Sequence, residues 1–271
     1  MCHFSVLMSV YFREQAKFLD QALESVLINQ SLKPSELVLV ADGQLTEELY
    51  LVINKYKELY SNFKLVQLPQ NVGLGKALNE GLKHCSHELV ARMDTDDICK
   101  PYRFEKLITI FSEHSELDIC SSWIDEFEND ITKINSSRRL PQNHNEIYQY
   151  GKSRNPINHP AVMFKKDSVL KVGGYKHFPL FEDYYLWVRM IVNNAQFYNI
   201  PESLLYFRAS NEMFNRRGGY SYVKTEIKFL WTIHKLGYTG LFITLKNICI
   251  RFTVRVLPNK IRALIYNTLL R

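Results

Sequence analysis

Glu88-Leu89-Val90-Ala91-Arg92-Met93-Asp94-Thr95-Asp96-Asp97 is the stretch on which the fold of this chain turns. A short apolar run, with the length of a buried strand, ends in three carboxylates within four positions. Pro101 then opens an amphipathic helical pattern through Phe104, Leu107, Ile108 and Phe111. In an open α/β sheet, the carboxyl ends of the strands are where ligands bind. Carboxylates crowded there repel one another unless a cation joins them, and hard oxygen ligands on a short turn suit Mg²⁺ or Mn²⁺ shared with a phosphate. An Asp-rich turn that only caps the next helix would use the same residues, so both readings stand at this point. An EF-hand loop is excluded, because Ile98 takes the next alternate position and no Gly-x₅-Glu spacing follows.

Working outward, the front half alternates strand and helix. Strands are expected at Phe4–Ser9, Glu36–Val40, Lys64–Gln67 and His87–Met93. Helices are expected around Leu19–Leu27, Thr46–Tyr60 and Asn71–His84. This βαβαβαβ rhythm implies a mostly parallel sheet with helices on both faces. Beyond residue 115 the pattern predicts a strand at Leu117–Trp123 and a polar stretch around Glu126–Asn145. Pro160–Phe164 is apolar, and a helix is expected at Glu182–Asn193. Two short strands (Ala195–Ile200 and Ser203–Phe207) and a helix at Tyr220–Leu236 follow, before a basic tail in which Pro258 separates two possible helices.

A chain of 271 residues that is 46% hydrophobic fits one large α/β domain with an appendage, and disorder is excluded. Its five cysteines show no C-x-x-C pairing, which reads as free thiols in a reducing compartment. The apolar run at Phe4–Phe12 lacks a preceding basic residue and reads as a strand, not a secretory signal. No apolar stretch approaches the ~20 residues that span a bilayer. The net charge of +6 is uneven: Leu241–Arg271 carries Lys246, Arg251, Arg255, Lys260, Arg262 and Arg271 with no acidic residue, so the chain before it is formally neutral. Nucleic-acid binding is therefore not expected.

Four strand ends share one edge of such a sheet: Ser9-Val10-Tyr11, Asp42-Gly43, Asn71–Lys76 and Asp94–Asp97. Together they offer an aromatic for a base, a carboxylate for an N–H and a metal for phosphates. Asp-Gly alone is an ordinary turn pair, and Asp42 gains weight only from its register with the acidic cluster. Gly73-Leu74-Gly75-Lys76 is not a P-loop, which needs Gly at Gln70 and Ser or Thr at Ala77. Lys76 remains a candidate phosphate cation or a solvated lysine. A second acidic site, Phe181-Glu182-Asp183-Tyr184-Tyr185-Leu186-Trp187, opens a helix amid aromatics. It either complements the helix dipole or holds a desolvated general base.

Strand-Asp42-Gly43, Asn71-x-Gly73-x₅-Asn79-x-Gly81, Met93-Asp94-x-Asp96-Asp97 and Glu182-Asp183-Tyr184-x-x-Trp187 stand in the order seen in family 2 glycosyltransferases, and the chain resembles that family over residues 3–238. The wording is most similar to bacterial enzymes of O-antigen, capsule and amylovoran-type exopolysaccharide assembly, with Asn158–Phe164, Gly173-Gly174-Tyr175 and Arg216–Gly219 adding to the match. The resemblance implies an inverting, metal-dependent enzyme with the GT-A fold, a Rossmann-like α/β domain expected to end at residue 238, followed by a basic amphipathic tail over 239–271. It implies a nucleotide diphosphate sugar donor, a UDP-hexose, bound by Ser9, Tyr11, Asp42, Lys76 and Asp94. Asp94 and Asp96 would hold Mn²⁺ or Mg²⁺, with Asp97 behind them, and Asp183 would be the base. Ala41 and Leu78 depart from the family, which often has Asp and Arg there. Glu182, His159, Arg216 and Arg217 are candidates for the acceptor or diphosphate.

The tail places basic residues beside Leu241, Phe242, Leu245, Ile248, Phe252 and Val256 at helical spacing, which suits an anionic leaflet or packing on the domain. The expectation is a cytoplasmic protein, peripheral on the inner face of the membrane, acting on a lipid-diphosphate-linked glycan. A sugar-phosphate nucleotidyltransferase would need a Gly-rich, Arg-containing loop after the first strand, and Ser9–Arg13 has no glycine. A paired-carboxylate hydrolase leaves Asp42 unexplained. A non-catalytic nucleotide-sugar-binding module would not need both acidic clusters.

Overall fold

The computed structural model describes residues 3–209 and 220–256, with the side chains of 220, 221 and 254–256 left out. Arg216, Arg217 and the basic residues from Lys260 onward therefore lie outside the described residues. The chain runs β1 (Phe4–Val10), α1 (Ala16–Leu27), β2 (Glu36–Ala41), α2 (Glu47–Leu59), β3 (Phe63–Gln67), α3 (Leu74–His84), β4 (Leu89–Arg92) and β5 (Ile98–Cys99). It continues through α4 (Arg103–Glu113), β6 (Ile119–Phe127), β7 (Ser136–Arg138), α5 (His144–Tyr150), a 3-10 turn (His159–Ala161) and β8 (Met163–Lys165). α6 (Lys166–Lys171), α7 (Glu182–Val192), β9 (Phe197–Arg208), α8 (Tyr220–Lys235) and α9 (Leu241–Val256) complete it.

One sheet orders its strands β3-β2-β1-β4-β8-β6-β9-β5, with β7 alongside β6. The first four strands are parallel, as the alternation requires, and this is the Rossmann-like half that carries the strand-end motifs. Side-chain alternation feeds two cores. Phe4, Val6, Met8 and Val10 of β1 pack with α1, α2 and α4, whereas Leu7 joins Leu78, Leu82, Trp187 and Phe229 on the other face. Each such buried side chain contributes about 1.5–3 kcal/mol. The expected pair of short strands is one strand, β9. Its register with β6 jumps from Ile200 to Ser203, so Pro201 and Glu202 form a bulge where proline has no N–H to give the ladder.

The Asn71–Gly81 motif has a structural cause. Gly43 has φ +89 and lies so close to Asn71 that a Cβ would sit 2.7 Å from its backbone nitrogen. Gly81 lets α3 settle on Leu7 of β1, whose Cδ1 a Cβ would meet at 2.3 Å. Between them Asn79 ties α3 to a distant loop: its Nδ2 donates to the Tyr175 carbonyl at 2.7 Å, and its Oδ1 accepts the Tyr175 N–H at 2.8 Å.

The stretch from 239 is not detached from what precedes it. Thr244 and Asn247 of α9 are buried, Ile248 packs on the second core, and Arg251 pairs with Glu226 of α8 at 3.6 Å. No helix among the described residues is long and apolar enough to cross a membrane.

Candidate active site

β1 pairs with β2 and β4 in parallel, so the turns after Val10, Ala41 and Arg92 leave the sheet side by side. Ser9 and Tyr11 stand at the end of β1, Tyr11 exposed and edge-on to Phe12. The Thr95 hydroxyl donates to the Glu14 carboxylate at 3.0 Å, which joins the β1–α1 turn to the acidic loop.

Asp42 is 3% exposed, and both of its carboxylate oxygens are engaged. They accept the N–H groups of Val72 at 2.7 Å and Gly73 at 3.0 Å, two backbone donors at the entry to α3. Asp42 thus shapes the turn at this edge, whatever ligand it also meets. Lys76 stands exposed on the first turn of α3 and is not among the residues that line the cleft described below. Asp42→Asn turns one of the two acceptors into a donor facing an N–H, so it should cost about 2 kcal/mol of stability and also weaken UDP binding. Urea denaturation and calorimetry check the two effects separately. Unchanged UDP affinity in a destabilised variant would leave Asp42 with the turn alone.

Asp94, Asp96 and Asp97 offer one oxygen each within 4.8 Å of one another. Asp94 is gripped by Arg92, a fully buried guanidinium on β4 that donates to both of its oxygens, Nη1 to Oδ2 at 2.8 Å. Asp97 accepts the Arg208 N–H at Oδ1 (2.8 Å), while its buried Oδ2 has no hydrogen-bond partner among the described residues. Arg208, at the end of β9, stacks 3.9 Å over Phe18 and donates Nε to the Asp96 carbonyl at 2.9 Å. Burial, then the charges of Asp94 and Glu14, push the Asp96 carboxyl up to about 7. Burial, then Asp96 and Asp94, push Asp97 well above the usual carboxylate range. Three hard oxygen donors, one of them an orphaned buried carboxylate oxygen, fit a divalent cation.

A cleft of about 800 Å³ runs from Asp94 past His159 to Asp183. Asp183 lies on the first turn of α7, and its Oδ2 accepts the Asn155 amide at 2.7 Å. The neighbouring Glu182 carboxyl is pushed up by burial and then by Asp183. His159 Nε2 shares a 2.8 Å hydrogen bond with the Tyr175 hydroxyl, and its ring stands edge-on to Trp187. Burial, then the Arg92 charge, hold the imidazole pKa well below its usual value, so it is neutral near pH 7. Arg138, Arg139 and Arg154 line the same cleft, stacked over Phe207, Trp123 and Tyr150.

The structure places Asp94 and Asp183 on the wall of one cleft, with Asp96 and Asp97 beside Asp94. Glu14, Arg92, Arg208 and Asn155 join them without a place in the sequence expectation, and Asp97, expected behind the ligands, offers an oxygen beside those of Asp94 and Asp96. A charged residue inside an apolar strand, as Arg92 is, needs a partner, and that was the available signal. Asn155 and Arg208 carry no local signal.

A family model described as glycosyl transferase family 2 matches residues 5–173. The UDP-Gal:alpha-D-GlcNAc-diphosphoundecaprenol beta-1,3-galactosyltransferase of Escherichia coli is 39% identical over 268 residues, covering 99% of this chain and 96% of its own length. The amylovoran biosynthesis glycosyltransferase AmsE of Erwinia amylovora is 40% identical over 263 residues, 97% of each. Among solved structures, S. aureus TarS 1–349 in complex with UDP-GlcNAc superposes with a TM-score of 0.64 at 19% identity, over 84% of this chain and 65% of that one, a likeness of fold.

Proposed function

The chain belongs to glycosyl transferase family 2, and on that premise we propose that it transfers a hexose, with inversion, from a UDP-sugar to a hydroxyl of a lipid-diphosphate-linked glycan in bacterial surface polysaccharide assembly. The observation that carries this reading is the single cleft with Asp94 of the acidic cluster at one place on its wall and Asp183 at another. Donor and acceptor can meet between a charge-bearing loop and a carboxylate base. The E. coli relative has, in its name, both a UDP-sugar donor and a diphosphate-linked lipid acceptor.

In this reading Tyr11 stacks on the base, with Ser9 beside it, and Asp42 accepts an N–H from it. Asp94, Asp96 and Asp97 would hold Mn²⁺ or Mg²⁺, which would supply positive charge to offset that on the departing diphosphate. Arg92 keeps Asp94 turned towards the cleft. Asp183 takes the proton from the acceptor hydroxyl as that oxygen attacks the anomeric carbon from the face opposite the diphosphate, which inverts the carbon. Neutral His159 can share a hydrogen bond with a sugar hydroxyl without competing for that proton. A panel of UDP-hexoses with Mn²⁺, read as UDP released in the presence of acceptor, tests this. Turnover of one supports it, and turnover of none, with UDP still bound, contradicts it.

The same reading puts the protein on the inner face of the membrane through its C-terminal segment, with the catalytic domain over 1–238 and the basic segment over 239–271. Support comes from the way α9 faces. Its polar Thr244, Asn247 and Arg251 turn inward, whereas Phe242 is 81% exposed and Leu241, Leu245 and Phe252 are about half exposed on the outer arc. An outward apolar arc beside Lys246, in a segment without acidic residues, suits an anionic leaflet. Phe242→Ser/Leu245→Ser/Phe252→Ser should weaken binding to anionic vesicles by about 10²-fold and slow transfer to a long-chain acceptor, while a short soluble acceptor is used as before. Flotation equal to that of the parent would place membrane contact elsewhere.

A further inference from the structure

Resting on the reading of Asp183 as the base, we infer that Asn155 is the residue that positions it, and that α9 holds Asn155 in place. The loop from Gly151 to Ile157 joins α5 to the 3-10 turn and belongs to no helix or strand. Three successive carbonyls of this loop are each taken by a side chain from elsewhere. The Tyr184 hydroxyl of α7 donates to Gly151 at 2.6 Å, the Asn247 amide of α9 to Lys152 at 2.8 Å, and the Arg251 guanidinium of α9 to Ser153 at 2.7 Å. Two residues on, Asn155 is itself fixed at both ends. Its Oδ1 accepts the Ile157 N–H at 3.3 Å, and its Nδ2 donates to Asp183 Oδ2 at 2.7 Å.

Beyond Asn155 the loop is also tied down, by the Asn199 amide, which donates to the Pro156 carbonyl at 3.1 Å, and by the buried Ile157, so the α9 bonds act at its Gly151–Ser153 end. A carboxylate on a first helical turn can rotate about its Cβ–Cγ bond, and the bond from Asn155 sets which oxygen points to the acceptor. Displacing a reacting group by about 1 Å costs up to about 10²-fold in rate. A side chain on α9 therefore affects the chemistry without touching substrate, as a positioning residue. It also gives a reason why α9 buries its polar stripe: Asn247 and Arg251 are turned inward because two loop carbonyls and the Glu226 carboxylate are there to meet them. Removing everything from Leu241 would then impair transfer to a soluble acceptor as well as to a lipid one.

The test is a double-mutant cycle in the full chain, measured on a short soluble acceptor so that membrane contact plays no part. Asn155→Ala should lower kcat about 10- to 10²-fold with UDP affinity unchanged. Asn247→Leu should lower kcat by a smaller factor with KM for the donor unchanged. In the double variant the Asn247 effect should disappear, because its route runs through Asn155. Asn247→Ser, whose hydroxyl is too short to reach Lys152, repeats the measurement if the leucine variant does not fold. Undiminished kcat in a folded Asn247 variant, or effects that multiply independently, would overturn the inference. Failure of the underlying reading looks different, since there Asp183→Asn itself would stay active.

Discussion

Asp183→Asn should slow transfer by about 10²- to 10⁴-fold and leave UDP affinity unchanged. Asparagine keeps the size of the side chain and one acceptor oxygen, so the cleft and the first turn of α7 should survive. It cannot take the proton of the attacking hydroxyl. In the proposed reading the donor is bound by residues at the ends of β1, β2 and β4, whereas Asp183 stands on the first turn of α7, so the loss should fall on kcat rather than on donor KM. Glu182 is the control. Its carboxyl is also pushed up, by burial first and Asp183 second, and it too lies on the first turn of α7. Near-normal transfer in Asp183→Asn together with a dead Glu182→Gln would exchange their roles.

Asp96→Asn should abolish divalent-dependent turnover, and it should do so with a thermodynamic signature readable without substrate. Burial and the neighbouring carboxylates push Asp96 up to about 7 from an ordinary 3.8, and raise Asp97 well above 3.8. Between those values the folded chain holds more protons than the unfolded one, so in chelator its stability falls as pH rises through 7. His159 works in the opposite sense, but only as pH falls through 6.5, its unfolded value. Comparing Tm at pH 7 and at about pH 8.5 keeps His159 out of the measurement. The same comparison in Asp96→Asn subtracts the buried thiols Cys85, Cys99 and Cys120, whose raised values also cost stability towards pH 9. Mn²⁺ should raise Tm, more at the higher pH, because binding requires the deprotonated ligands. Asp96→Asn should lose most of that rise along with turnover. Full activity in chelator, or a Tm that ignores Mn²⁺ at both pH values, would remove the metal from the site.

What the sequence disclosed and what it hid divide along the range of the interactions. The strands through His87–Met93 were legible because their apolar runs and bounding turns are local, and Asp42 and Asp94–Asp97 followed from being at the ends of parallel strands. β5 and β7 were not, since two or three residues have no period of their own and exist only where β9 and β6 pair with them. α5 (His144–Tyr150) begins at the end of the stretch read as polar and was not expected, although Asn143 and Glu146 hold a capping-box spacing and the Glu146 carboxylate accepts the Asn143 N–H at 3.2 Å. Within the site, each missed residue depends on a partner distant in sequence or on a burial that no local pattern reports. Arg208 reaches Asp97 from the last position of β9, and Asn155 reaches Asp183 from a loop without periodicity. The orientation of α9 was hidden for the same reason. Its polar residues face inward only because the carbonyls of Lys152 and Ser153 are there to be met.

The most direct measurement of the central claim is the anomeric configuration of the product. A UDP-α-hexose, Mn²⁺ and a lipid-diphosphate-linked sugar are incubated with the full chain, and the new linkage is read by NMR. The expected product is a single β-glycoside with one UDP released per bond formed, and none in chelator. An α-linked product, or nucleotide released with no new glycosidic bond, would contradict the inverting transfer in which Asp183 takes the acceptor proton.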